Sequence, residues 1–118
     1  AVIGAAAGVS ALGAVSSGEP WEQDLKDTVA KDFCPKIQAE KNGYPRNLAI
    51  LSASIDVLGI LTDLTKKYPE LASDMLKPDT KASRYFGITN KKASEEYRHC
   101  FVRKTCGLTV GEDESCNR

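Results

Sequence analysis

The chain has 118 residues, 42% of them hydrophobic, with sixteen basic and sixteen acidic side chains and a single histidine. That length suits one domain with a buried core, yet it is small enough to gain from covalent cross-links. A formal charge of zero supplies no global field to recruit nucleic acid.

Ala1 to Gly18 (AVIGAAAGVSALGAVSSG) contain no charged side chain. As a helix, Val2 to Ser17 would be roughly 24 Å long against a bilayer hydrocarbon core of about 30 Å, marginal for spanning but ample for shallow insertion or burial. Gly4, Gly8 and Gly13 each weaken an isolated helix in water by about 0.5 to 1 kcal/mol relative to alanine, so a partner other than water has to hold the segment. Lipid is one such partner. A protein surface is the other, because the Gly4-Ala5-Ala6-Ala7-Gly8 run lets a second backbone come close. Val2, Ile3, Gly4, Gly8, Val9, Leu12, Gly13 and Val15 are the candidate membrane or self-association residues. A secretory signal would need a basic n-region, which is missing here, so the segment is expected to belong to the working protein. Ala1-Val2-Ile3-Gly4-Ala5 and Ala11-Leu12-Gly13-Ala14 resemble the Gly/Ala-rich fusion peptides of viral fusion proteins, although nothing downstream shows their long heptads.

Ser16, Ser17 and Gly18 form a hinge, and Pro20 suits the first turn of an amphipathic helix whose Trp21, Leu25, Val29 and Phe33 recur every four residues. Pro35 kinks or ends it near Cys34, with Ile37 and Ala39 in a last turn, before Asn42-Gly43-Tyr44-Pro45 breaks the pattern. Asn47 then caps a central hydrophobic helix over 47–67. Its Ser52, Asp56, Gly59 and Asp63 make one narrow polar stripe, and Leu48, Ile50, Leu51, Ile55, Val57, Leu58, Ile60, Leu61 and Leu64 cover the rest. Asp56 and Asp63 would each cost about 2.5 to 3.5 kcal/mol near a bilayer centre, which favours a core helix over a transmembrane one.

Tyr68-Pro69 stops that helix and opens a short one through Leu71, Met75 and Leu76. Asp79 to Gly87 reads as a loop with Tyr85 and Phe86 plugging the core. Thr89 or Asn90 caps a last long helix, with Ala93, Tyr97, Cys100 and Phe101 inward and Gly107 as its stop. The tail LTVGEDESCNR is short and acidic. Phe101-Val102 and Leu108-Thr109-Val110 offer at most a brief strand pairing. The expected fold is all-α, a small disulfide-linked helical bundle in a single domain, 1–118. It comprises an apolar N-terminal helix (1–18) and a helical core with an acidic tail (19–118).

Cys34, Cys100, Cys106 and Cys116 lack a CxxC or paired-histidine spacing and favour two disulfides over a metal site, hence an oxidising, secreted, extracellular setting. On one helix Cys100 and Cys106 would have Cα atoms about 9 Å apart, beyond the roughly 7 Å limit for a bridge. Two connectivities remain. Cys34–Cys100 with Cys106–Cys116 is preferred over Cys34–Cys106 with Cys100–Cys116, because the tail then folds back from Gly107 and Gly111 in a short loop. No Asn-X-Ser/Thr sequon is present.

Between Lys77 and Lys104 eight basic residues (Lys77, Lys81, Arg84, Lys91, Lys92, Arg98, Arg103 and Lys104) face three acidic ones, whereas Glu19 to Cys34 carry five acids against two lysines. Charge runs are usually solvated faces; the functional alternative is attraction to an anionic lipid or cell-wall surface. Catalytic chemistry finds little footing. His99 follows Glu95 and Glu96 by about a turn but lacks the further ligands of a carboxylate-bridged metal site. Asp56 and Asp63 lie about 10.5 Å apart along their helix, too far for a proton-sharing dyad. Nucleophile-elbow, phosphate-loop and HExxH motifs are missing, as are nucleic-acid-binding modules.

A small, cross-linked, helical chain with an uncharged front end and no catalytic set is expected to act by contact, without enzyme activity, metal or cofactor. In architecture, through Ala1 to Gly18, the four cysteines and an Arg118 end compatible with processing, it resembles the secreted, virally encoded killer toxins of smut fungi. Many of those toxins have more cysteines and α/β sandwich folds. The resemblance implies a cytotoxic protein whose partner is a target-cell membrane or cell-surface component, with a homo-oligomer through residues 1–18 as a further possibility. The alternative is a secreted effector or inhibitor that binds a host or competitor protein.

Overall fold

The computed structural model describes residues 19–87, 90–111 and 116. The expectations for Ala1 to Gly18, for Thr89 and for most of the acidic tail lie outside these residues. The described residues form six helices and no strand: α1 (Pro20–Asp32), α2 (Cys34–Ala39), α3 (Gly43–Leu64), α4 (Pro69–Met75), α5 (Lys81–Phe86) and α6 (Lys91–Thr105). The all-α, disulfide-linked fold is therefore the observed one.

Prolines set three of the starts. Pro20, Pro35 and Pro69 each sit in the first turn of a helix, where a missing N–H has no intrahelical acceptor to lose. Pro35 also explains why α1 ends at Asp32, with Phe33 as the joint between α1 and α2. Asn42-Gly43-Tyr44-Pro45 does not break the helical pattern as expected. It is the first turn of α3, which starts at Gly43 rather than beyond Asn47, because Pro45 is still within the turn that tolerates proline. The end of α3 at Leu64 gives way to turns before Tyr68.

The stretch from Asp79 to Gly87 also departs from expectation, since it holds a helix rather than a loop. Thr80 caps α5 through a reciprocal pair: the Ser83 amide donates to its hydroxyl at 3.1 Å and its own amide donates to the Ser83 hydroxyl at 3.1 Å. Gly87 closes α5 in the left-handed conformation at φ 76°, where an added Cβ would approach the Lys91 Cα at 3.0 Å. Asn90 caps α6 by accepting from the Ala93 amide at 3.0 Å, and Gly107 at φ 75° follows its end.

The core gathers Trp21, Leu25 and Val29 of α1, Ile37 of α2, Leu71 of α4, Tyr85 of α5 and Tyr97, Phe101 and Val102 of α6 against one side of α3. On α6 Ser94, Arg98 and Val102 are buried, whereas Ala93, expected inside, is exposed. Tyr85 is the hub of the aromatic packing. Its ring meets Trp21, Tyr97 and Phe101 edge-on at centroid distances of 6.0, 4.9 and 5.3 Å.

The disulfides are Cys34–Cys106 and Cys100–Cys116, with Cα separations of 5.1 and 5.6 Å. Cys100 and Cys106 are unpaired with each other, as helix geometry requires, but the preferred connectivity is overturned. Six residues along a helix rotate the side chain by roughly 240°, so the two thiols leave α6 in different directions. Cys106 meets Cys34 at the start of α2, and Gln38, one turn further on, donates to the Cys106 carbonyl at 2.8 Å, which leaves Cys100 to Cys116.

Two outcomes follow from this packing. Leu61→Ala removes a fully buried side chain from the last turn of α3 and is expected to lower unfolding free energy in urea by about 2 to 5 kcal/mol. Non-reducing peptide mapping is expected to recover Cys34 linked to Cys106 and Cys100 linked to Cys116; a Cys34–Cys100 peptide would contradict the arrangement.

Candidate functional site: an exposed apolar stripe on α3

Helix α3 was expected to be covered nearly all round, and it is not. Ile50, Ala53, Ser54, Val57 and Leu61 form the buried side, spaced at three, one, three and four residues. Ser54 is accommodated there by donating to the Ile50 carbonyl at 2.8 Å. The polar stripe is where the pattern puts it, with Ser52, Asp56, Gly59 and Asp63 exposed. Between that stripe and the buried side runs a third face. Tyr44, Leu48, Leu51 and Ile55 are 74, 49, 48 and 58% exposed, while Val57 and Leu61 are fully covered. Of the five large hydrophobic side chains exposed among the described residues, four lie on this line.

The spacing of the exposed side chains is four, three and four residues, and half-buried Leu58 extends it by three. Alternation of three and four keeps side chains on one seam of a helix, the spacing with which two helices pack side by side. The signal was present in the sequence. Periodicity does not single it out, because every apolar position of this helix is equally eligible for the core.

A second feature lies in the first turn of α1. Glu22 is buried, with its carboxylate 3.1 Å from the Lys81 ammonium and accepting from the Tyr85 hydroxyl at 3.3 Å. Burial is the chief cause that pushes the Tyr85 phenol well above its usual range, with Tyr97 and Glu22 adding to it. Arg98 is buried as well and donates from Nη1 to the Tyr85 carbonyl. Burial pulls its guanidinium down from its usual value, against a smaller opposing effect of Glu95. These groups tie α1, α5 and α6 together around Tyr85.

The same contacts divide the basic run. Arg98 belongs to the interior and cannot serve an anionic surface, contrary to the expectation for it. Lys81 neutralises buried Glu22, and Lys77 pairs with Asp74 at 3.6 Å. Arg84, Lys91, Lys92 and Lys104 are exposed and Arg103 is half-buried. His99 is half-buried, and among the described residues no three histidine, cysteine or acidic side chains come together as a metal site.

A third cluster fixes where the chain enters the fold. Asp24 accepts from the Tyr68 hydroxyl at 2.7 Å and from the Lys67 ammonium at 3.0 Å. The Tyr68 hydrogen bond, with Lys67 behind it, holds the Asp24 carboxyl below its usual range, while slight burial opposes. Lys67 and Tyr68 are both raised in turn, each chiefly by its hydrogen bond to Asp24. The early turns of α1 therefore lie at the C-terminal end of α3.

Comparison with known protein families, curated proteins and solved structures finds no match.

The buried ion pair gives a clear expectation. Lys81→Met leaves the Glu22 carboxylate without its counter-charge and is expected to cost about 1 to 3 kcal/mol of stability. Adding Glu22→Gln to that variant should restore part of the loss. Equal losses for the single and double variants in urea titrations would show that the pair is not coupled.

Proposed function

We propose that this protein is a secreted, non-enzymatic toxin that acts by contact with the membrane of a target cell, in the manner of the killer toxins its architecture resembles. The observation that carries the reading is the exposed line Tyr44, Leu48, Leu51 and Ile55 on an otherwise well-packed helix. Apolar surface that folding does not consume marks an interaction site, and here it accompanies a front end with no charge between Ala1 and Gly18. By length and composition α3 is also apolar enough to cross a membrane. A core helix meets the same test, so the exposed line, rather than the composition, supports lipid contact.

Val2, Ile3, Val9, Leu12 and Val15 supply the side chains for insertion, and Gly4, Gly8 and Gly13 allow the segment to pack against copies of itself once in lipid. The exposed cations Arg84, Lys91, Lys92 and Lys104 are placed to draw the molecule to an anionic surface. Two disulfides suit an extracellular protein that has to survive outside the reducing cytosol.

Recognition of a protein target is the second reading, and the four-three-four spacing on α3 favours it, because that spacing fits an incoming helix. Dye release separates the two. The full chain is expected to empty anionic vesicles, Val9→Asp/Leu12→Asp to abolish release, and Lys91→Glu/Lys92→Glu to lessen the preference for anionic over neutral lipid. Release by Val9→Asp/Leu12→Asp equal to that of the unaltered chain would contradict the assigned role of the front end. No release from any vesicle would leave the protein-binding reading standing in its place.

A further inference from the structure

The exposed line on α3 and the uncharged front end are complementary in chemistry, length and position. We propose that residues 1–18 dock as a helix along the α3 stripe in the water-soluble form of the protein, so that the molecule covers its own apolar surface before it meets a target. The proposal does not rest on the membrane reading; it holds equally if the target is a protein.

Position comes first. Asp24, one turn into α1, is held by Lys67 and Tyr68 just beyond the end of α3, so Glu19 receives the preceding chain near that end. From Leu58 to Leu64 is roughly 9 Å along the helix, and Ser16-Ser17-Gly18 can extend across about 10 Å. The front end therefore joins the fold at the end of α3 nearest Leu58, where the stripe stops. From there a helix over Val2 to Val15, about 20 Å long, matches the roughly 21 Å from Tyr44 to Leu58.

Pattern comes second. Val2, Ala5, Val9 and Leu12 recur at three, four and three, the same seam spacing as the stripe they would meet. Gly59 flanks the Leu58 end of the stripe, inside α3, and costs that helix about 1 kcal/mol relative to alanine. Nothing among the described residues accounts for it, since an added Cβ at Gly59 would meet no atom within 4 Å. A helix rich in glycine and alanine lying alongside supplies the reason, because small residues on both sides let two backbones approach closely.

Area argues for the front end over a second copy. Four side chains, two about half exposed and two more than half, offer roughly a few hundred Å² per molecule, so two facing stripes fall short of the ~1,200 Å² at the low end of stable dimers. A tethered segment has no such requirement, because its effective concentration is in the millimolar range or above.

Amide hydrogen exchange on the intact, oxidised protein tests this directly. Residues 6–15, past the helix's first unbonded amides, are expected to exchange about 10- to 100-fold more slowly than in a free peptide, in a protein that sediments as a monomer. Leu51→Asp/Ile55→Asp should return them to within about threefold of the free-peptide rate while the α6 amides keep their protection. Gly59→Leu, which improves helix propensity and so does not threaten folding, should reduce the same protection by obstructing the close approach. Free-peptide exchange in the unaltered protein would overturn the proposal. So would protection indifferent to both variants, protection that appears only as a dimer forms, or protection that requires phosphatidylglycerol vesicles. The last two outcomes would assign the stripe to a second copy and to lipid respectively. Because no vesicle is needed for the expected result, its failure is separate from a failure of membrane lysis.

Discussion

Helix α3 carries apolar side chains over most of its circumference, and the neighbouring helices reach only one side of it. Val57 and Leu61 are fully covered by the core that the other helices build, whereas Leu51 and Ile55, on another face of α3, are about half exposed. Leaving several large hydrophobic side chains half exposed forgoes about 1 kcal/mol or more for each. Ala1 to Gly18 carry no charged side chain, and the proposed docking of that segment on the α3 stripe would join the two apolar surfaces.

The described fold achieves its side of this arrangement with economical means. Prolines start three helices and separate α1 from α2, Thr80 and Asn90 cap α5 and α6, and Tyr85 gathers the aromatic core. The Cys34–Cys106 bridge closes a long loop between the end of α6 and the start of α2, and Cys100–Cys116 returns the tail to the middle of α6. In the chain-entropy account the longer loop contributes about 4 kcal/mol and the shorter about 3. With α6 held in this way, Arg98 and the Glu22–Lys81 pair can be buried with charged or carbonyl partners at hand.

Much of this was legible in the residue pattern. The four-residue recurrence of Trp21, Leu25 and Val29, the Asn90 cap and the exclusion of a Cys100–Cys106 bridge all follow from local geometry, which a sequence records. What depends on tertiary neighbours was not legible. Apolar periodicity marks which positions of α3 can be buried, but the number of helices that reach it decides which ones are, and the stripe at Tyr44, Leu48, Leu51 and Ile55 lost that competition. Arg98 read as surface charge because nothing local announces that the Tyr85 carbonyl will accept from it. The cystine pairing turned on the direction in which Cys106 leaves α6, a matter of rotation rather than loop length. Pro45 read as a breaker because a proline in a first turn and one between helices look alike until the cap is placed.

Methyl-to-methyl nuclear Overhauser contacts in the full-length, oxidised protein test the central claim most directly. The account predicts intramolecular cross-peaks from Val9 and Leu12 to Leu51 and Ile55 in dilute aqueous solution, surviving in a sample where only one in ten molecules is labelled for isotope filtering. Methyl signals of Leu51 and Ile55 that show no contact with residues of the front end, in a folded monomer free of lipid, would contradict it.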